Sequence, residues 1–347
     1  MNNFKKIGLT ALAGSLAAVS ANAVELSVSG ETTVSYISNT AAKVNTVGGS
    51  SIGTSTGITF SGSGELENGW TVSSSNILND GDANALSSSQ LNMTMGSMGT
   101  ITFAKSAGTN VNAIDDVTPK VAEEAWDGAS GSVLQGIGSS TNSGAVAYKS
   151  PSFDLMGISA SFGVDYDPAA GGAGNDHDAV AAKTATQGSG SGFVVKLAHE
   201  SGLTIGAGQE NVNSNSGNDP EAENVTAYAL YSMGPVSIGY QGYYLNKGTQ
   251  TVAAATGAGA DYSGDAIGIA FNVNDQVSIG YQKVSEEQEA FTSTAASTRD
   301  IKSVSAAYST GGMTMSIQQT DTDNYTFATA GNELDTETVQ VTLSFAF

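Results

Sequence analysis

Between Thr336 and Phe347 apolar and polar residues alternate without a break. Val339, Val341, Leu343, Phe345 and Phe347 share one face, and Gln340, Thr342, Ser344 and Ala346 share the other. A period of two means a strand whose two sides meet different environments. The pattern returns at Val24–Val28, Val34–Tyr36, Ile158–Tyr166, Val236–Tyr240, Ile267–Val273, Val277–Tyr281, Val304–Tyr308 and Met313–Ile317. Beyond residue 23 no apolar run is long enough for a helical membrane span. A soluble sandwich also alternates, so the connections between strands decide.

Those connections come in two kinds that take turns. Seven are tight: Glu67–Gly69, Gly96–Gly99, Ser150–Gly157, Glu200–Gly202, Ser232–Pro235, Asn272–Gln276 and Thr310–Gly312. Eight are long, centred on 38–50, 79–86, 106–143, 168–190, 211–222, 246–262, 286–299 and 322–333. Fifteen connections make sixteen strands. Short turns on one rim and long loops on the other characterise an outer-membrane barrel. The first and last strands then pair and leave no open edge. The expected fold is therefore all-β, a sixteen-stranded antiparallel transmembrane β-barrel. Aromatic residues fall near both rims: Trp70, Tyr148, Tyr231 and Phe271 by the short turns, Tyr36, Phe103, Tyr166 and Tyr244 by the long loops. Girdles at two lipid–water interfaces account for this, and the aromatic preference of strands is the plainer alternative.

The first 23 residues read as an export signal, with Lys5 and Lys6 before a short apolar stretch and Ala21-Asn22-Ala23 as a cleavage site. The mature chain, 24–347, is then one barrel domain. Its charge is extreme. The whole chain has 33 acidic residues against 12 basic ones, net −21, and loss of two lysines with the leader takes this to −23. Such a chain does not bind nucleic acid, whose phosphates need a basic surface. Cysteine is absent, which excludes disulfide scaffolds and thiolate metal sites.

The leader, the opening strand Val24–Gly30, the alternation of loop and turn, and Thr342–Phe347 (TLSFAF) together resemble a Gram-negative general porin of the alphaproteobacterial type. The resemblance implies a homotrimer whose third long loop folds inward and narrows the pore. It also implies that Phe345 and Phe347 form the terminal signal read by the barrel-assembly machinery.

The third loop, 106–143, holds Asp115, Asp116, Glu123, Glu124 and Asp127 against Lys120 alone. Crowded into a narrow lumen, these acids would focus a negative potential; on an exposed loop they would be a solvated cluster. The basic wall cluster that the resemblance implies is missing, since Arg299 is the sole arginine and lies at a loop end. Strand parity instead turns Lys149, Lys196, Glu31, Glu65 and Asp165 into the lumen. Lys105, Lys283 and Lys302 point outward at the long-loop rim, to meet phosphates of outer-leaflet lipid or to snorkel to water.

Catalysis has little support. His177 and His199 stand in unrelated places, no G-x-S-x-G surrounds a serine, and Gly188–Gly192 reads as a flexible loop. No cofactor is expected. Gly171–Asp176 resembles one turn of a calcium repeat, which needs stacked copies, so only a weak calcium site in the acidic loops is left open. The expected function is a non-enzymatic outer-membrane channel for passive diffusion of small hydrophilic solutes and ions, with a preference for cations. The rivals are a surface adhesin or secreted β-structural protein that binds partners through its loops, and a substrate-specific channel.

Overall fold

The computed structural model describes residues 25–41, 49–80, 86–105, 108–126, 137–138, 144–170, 187–214, 221–246, 260–290, 297–325, 327 and 334–347. The leader at 1–23 lies outside them. The described residues form one antiparallel sheet whose strands are β1 (Glu25–Ala41), β2 (Gly49–Glu65), β3 (Thr71–Asn79), β4 (Leu86–Thr94), β5 (Thr100–Lys105), β6 (Ala145–Lys149), β7 (Phe153–Leu155), β8 (Ile158–Asp167) and β9 (Gln187–His199). It continues through β10 (Leu203–Ser214), β11 (Ala222–Met233), β12 (Val236–Asn246), β13 (Ala260–Asn272), β14 (Val277–Ala290), β15 (Ser297–Thr310), β16 (Met313–Asp323) and β17 (Thr336–Ala346). Apart from β6 and β7, each strand pairs with its neighbours in sequence, and β17 pairs with β1, so the sheet is closed. The seam is in register over eleven residue pairs, from Glu31 opposite Ala346 to Ala41 opposite Thr336.

Strands β6 and β7 both pair with β8 and act as one stave, which makes sixteen staves. They are parted at Ser150-Pro151-Ser152, where proline has no N–H for the ladder. Ser150 repairs the gap. Its N–H donates to Phe162 O at 2.8 Å, and its hydroxyl accepts the Phe162 N–H at 2.9 Å. The span 150–157, expected as a single turn, thus contains a strand. The turn itself is Met156-Gly157, with φ of 58° and 86°, as a two-residue hairpin with the twist of its strands requires. Gly188–Gly192, expected as a loop, belongs to β9; glycine and serine suit it because the third loop lies against that stretch of wall.

Alternation sorts the side chains onto two faces. Val304 is 63% exposed and Ile317 51%, and Val28, Tyr166, Phe193, Tyr240 and Ile279 share their side of the sheet. Apolar residues displayed outward on a closed sheet match a lipid environment. On the opposite, inner face Gln241, Glu210, Arg299 and Thr226 are almost wholly buried.

Candidate functional site

Residues 108–126, in the third long connection, run along that inner face. Three polar wall residues hold this segment by its backbone. Asp165 on β8 accepts the N–H groups of Asn110 at 3.0 Å and Val111 at 2.8 Å, and the Asn110 amide at 2.7 Å. Gln241 on β12 accepts the Val117 N–H at 3.1 Å and donates to Ile114 O and Asp115 O, both at 3.0 Å. Gln282 on β14 accepts the Ala125 N–H at 2.9 Å. An irregular segment buried against a wall must place its backbone donors and acceptors somewhere, and these side chains receive them.

The wall is thinned along the same path. Gly163, Gly192, Gly208, Gly239, Gly268 and Gly280 come from six different strands, and the loop fills the space where each would carry a side chain. A Cβ at Gly192 would stand 2.6 Å from Val111 Cγ1, and one at Gly280 2.9 Å from Val121 Cγ2. Gly268 is the most constrained, because backbone atoms of Pro119 lie against it and cannot rotate away.

The far end of the described segment, Ala125 and Trp126, enters an apolar pocket formed by Tyr243, Leu245, Tyr262, Val284 and Ile301. Trp126 is 2% exposed, and its Nε1–H has no acceptor among the described residues. Beside this pocket Arg299 donates to Glu286 through Nε at 2.7 Å and through Nη2. Tyr243 donates its hydroxyl to the same carboxylate at 2.9 Å. The guanidinium also lies 4.3 Å from the Phe327 ring centroid and donates to Tyr325 O at 3.2 Å. The single arginine is therefore a buried tie between β14, β15 and the connection after β16.

The loop carboxylates have separate environments. Lys120 pairs with Asp116 at 3.8 Å and with Glu124, which is buried, while Glu123 is exposed. Burial, followed by the hydrogen bond and the charge of Asp116, pushes the Asp115 carboxyl up to about 7. Asp127 lies outside the described residues, as do His177 and the glycine-rich 171–176. Among the described residues no three carboxylate or imidazole groups converge as a bound metal ion would need. His199 is exposed and bonds Ser201 in the adjacent turn.

Lys149 and Lys196 stand on the inner face and line a cavity of about 440 Å³ between the loop and the wall. Glu31 lies on the same face, with Thr33 bonded to it at 3.0 Å, and Glu65 is paired in register with Thr71 next to a short turn. Lys283 and Lys302 are outward and meet Asp300 at 3.9 Å and Asp323 at 3.6 Å. Phe347 is 69% exposed at the seam. Sequence reasoning passed over Gln241, Gln282, the burial of Arg299 and the glycine row. Only the last left a signal, as glycines at inward positions on six of the seven strands from β8 to β14.

A model of the Gram-negative porin family matches residues 8–347. No curated protein matches the chain by sequence. Solved structures share the fold at low identity. OmpF of Salmonella typhi in complex with daunomycin is 14% identical, with a TM-score of 0.69 over 93% of this chain and 98% of that one. The anion-selective porin from Comamonas acidovorans is 15% identical, with a TM-score of 0.63 over 94% of this chain and 100% of that one. The outer-membrane channel DcaP of Acinetobacter baumannii is 10% identical, with a TM-score of 0.64 over 93% and 97%. With a closed barrel of sixteen staves and a family match along almost its whole length, this chain belongs to the Gram-negative porin family and is an outer-membrane channel.

Proposed function

We propose that the chain is a general-diffusion porin that prefers cations. The observation that carries this reading is the docked segment 108–126, whose four carboxylates, Asp115, Asp116, Glu123 and Glu124, face one lysine. Laid along the inner wall, the segment takes up part of the lumen, and its net charge is negative. Fixed charge at a low-dielectric constriction selects for counter-ions, and bulk salt screens it less than charge at the rim. The zero-current potential across a planar bilayer under a KCl gradient tests this. A cation-selective sign is expected, shifting toward neutral when the four acids become amides. An anion-selective wild type would refute the charge reading.

Further parts of the reading rest on sequence and surface. Residues 1–23 are an export signal cleaved before Val24, and intact mass of outer-membrane material checks this. Phe345 and Phe347 serve as the assembly signal. The functional unit is a homotrimer, and its contact face includes β3 and β4. There Asn76, bonded to Ser74 at 3.4 Å, and Ser89 take outward positions among lipid-facing neighbours such as Phe60 and Leu91. Polar side chains at membrane depth are better sheltered by protein than by acyl chains.

A further inference from the structure

We infer that the cavity between the third loop and the wall is a seat for a small organic carboxylate with an aryl or short alkyl body. The inference rests on the channel reading above.

Among the described residues the lining of the cavity holds several donors and no carboxylate. Lys149 on β6 is paired with Gly163 of β8, and Lys196 on β9 with Ser161 of β8, so the two lysines straddle one strand. Two strand spacings and a two-residue offset separate their backbones by about 12 Å, a gap that two lysine side chains can close around one anion. Neither ammonium has an ion-pair partner among the described residues. Asp165, two residues from Gly163 on β8, is 4% exposed and committed to Asn110 and Val111 of the loop. The Asn110 side chain packs on Gly163, where a Cβ would collide with it.

The other polar lining adds donors. Thr102 donates to Asn92 Oδ1 at 2.6 Å, which fixes the amide orientation and leaves Asn92 Nδ2 to donate. Thr100 and Ser161 add hydroxyls. The apolar lining comes from Ile114 and Val117 of the loop and from Leu230 of β11, with Tyr228 beside it on the same strand. A chamber of about 440 Å³ falls within the usual range for small-molecule sites. Two ammoniums without an ion-pair partner among the described residues, in one chamber with Ile114, Val117 and Leu230, suit an anion with an apolar body. Inorganic phosphate or acetate would use only the ammoniums.

The test is single-channel recording in a planar bilayer in KCl, with phenylacetate added and acetate at the same concentration as control. Phenylacetate should interrupt the current in a saturable way that acetate does not. Lys149→Gln with Lys196→Gln should weaken the block roughly ten-fold or more, since hydrogen bonds to charged groups are lost. The Lys149→Arg, Lys196→Arg pair should retain it, which separates loss of charge from loss of fold. Leu230→Ser should weaken the phenylacetate block while KCl conductance persists. Equal effects of phenylacetate and acetate, or a block unchanged by the glutamine pair, would overturn the seat and leave the channel reading intact. Absence of any KCl conductance would instead overturn the channel reading, and the seat with it.

Discussion

Gly30 and Phe347 close the barrel through a reciprocal pair of backbone hydrogen bonds. The Gly30 N–H donates to Phe347 O at 2.8 Å, and the Phe347 N–H to Gly30 O at 2.9 Å. The terminal ring lies over the glycine, where a Cβ would stand 2.5 Å from ring Cε2. Deleting Phe347 removes both bonds, each with a net worth of about 0.5–1.5 kcal/mol, but leaves the eleven other pairs of the seam. The finished barrel should keep nearly its full heat resistance, while yield in the outer membrane falls. Heat-modifiable mobility and membrane abundance of the deletion, measured side by side, check this; loss of heat resistance equal to the loss of yield would contradict it.

Arg299 and Glu286 should show the asymmetry of a buried pair. Removing one partner leaves an uncompensated charge and costs about 3–5 kcal/mol, whereas replacing both by apolar residues of similar volume is near neutral. Arg299→Met alone should therefore lower the unfolding midpoint in detergent and urea, and Glu286→Leu added to it should restore most of the loss. A double variant as weak as the single one would show that the Tyr243 and Tyr325 contacts dominate.

Trp126 is expected to hold the loop by size and not by its N–H. Truncation of a buried tryptophan to alanine costs about 3–5 kcal/mol, so Trp126→Ala should free the loop end and raise open-channel current noise. Trp126→Phe should leave the noise at the wild-type level, because the indole N–H has no acceptor among the described residues. Noise analysis of the two variants in KCl decides the matter.

Selectivity should also depend on pH near neutrality. With all four loop carboxylates ionised against Lys120, the segment 108–126 carries −3. Asp115, with its carboxyl pushed up to about 7, gains a proton as pH falls through that value, leaving −2. Cation preference should drop between pH 8 and pH 6, and Asp115→Asn should flatten that step. Zero-current potentials at the two pH values provide the measurement, and an equal step in the variant would assign the titration to another group.

The barrel was legible because a strand with two unlike sides writes its period directly into the residues, as Val339–Phe347 does. The rims were legible because tight turns need glycine, asparagine or proline at set places. The break at Ser150-Pro151-Ser152 misled, since proline and serine read as a turn unless the hydroxyl's role in the ladder is known. The acids of the third loop stood out as charges, but the partners of that loop did not. Gln241 and Gln282 look like any polar lumen residue, and only the tertiary arrangement brings Ile114 and Ala125 to them. For Arg299 only its place at a loop end was legible, because its burial depends on Tyr325 and Phe327, which come from the connection after β16.

The glycine row under the third loop has a consequence for engineering and for ancestry. Loop and wall are two halves of one fitted part: a longer or bulkier third loop grafted from another barrel meets a channel cut for Val111, Pro119 and Val121. Filling the row by alanine or valine would in turn dislodge a loop whose own residues were untouched, most severely at Gly268, where the obstacle is main chain. The placing of the third loop is thus inherited through glycines of the wall as well as through the loop itself, and a loop moved between such barrels needs its bed moved with it.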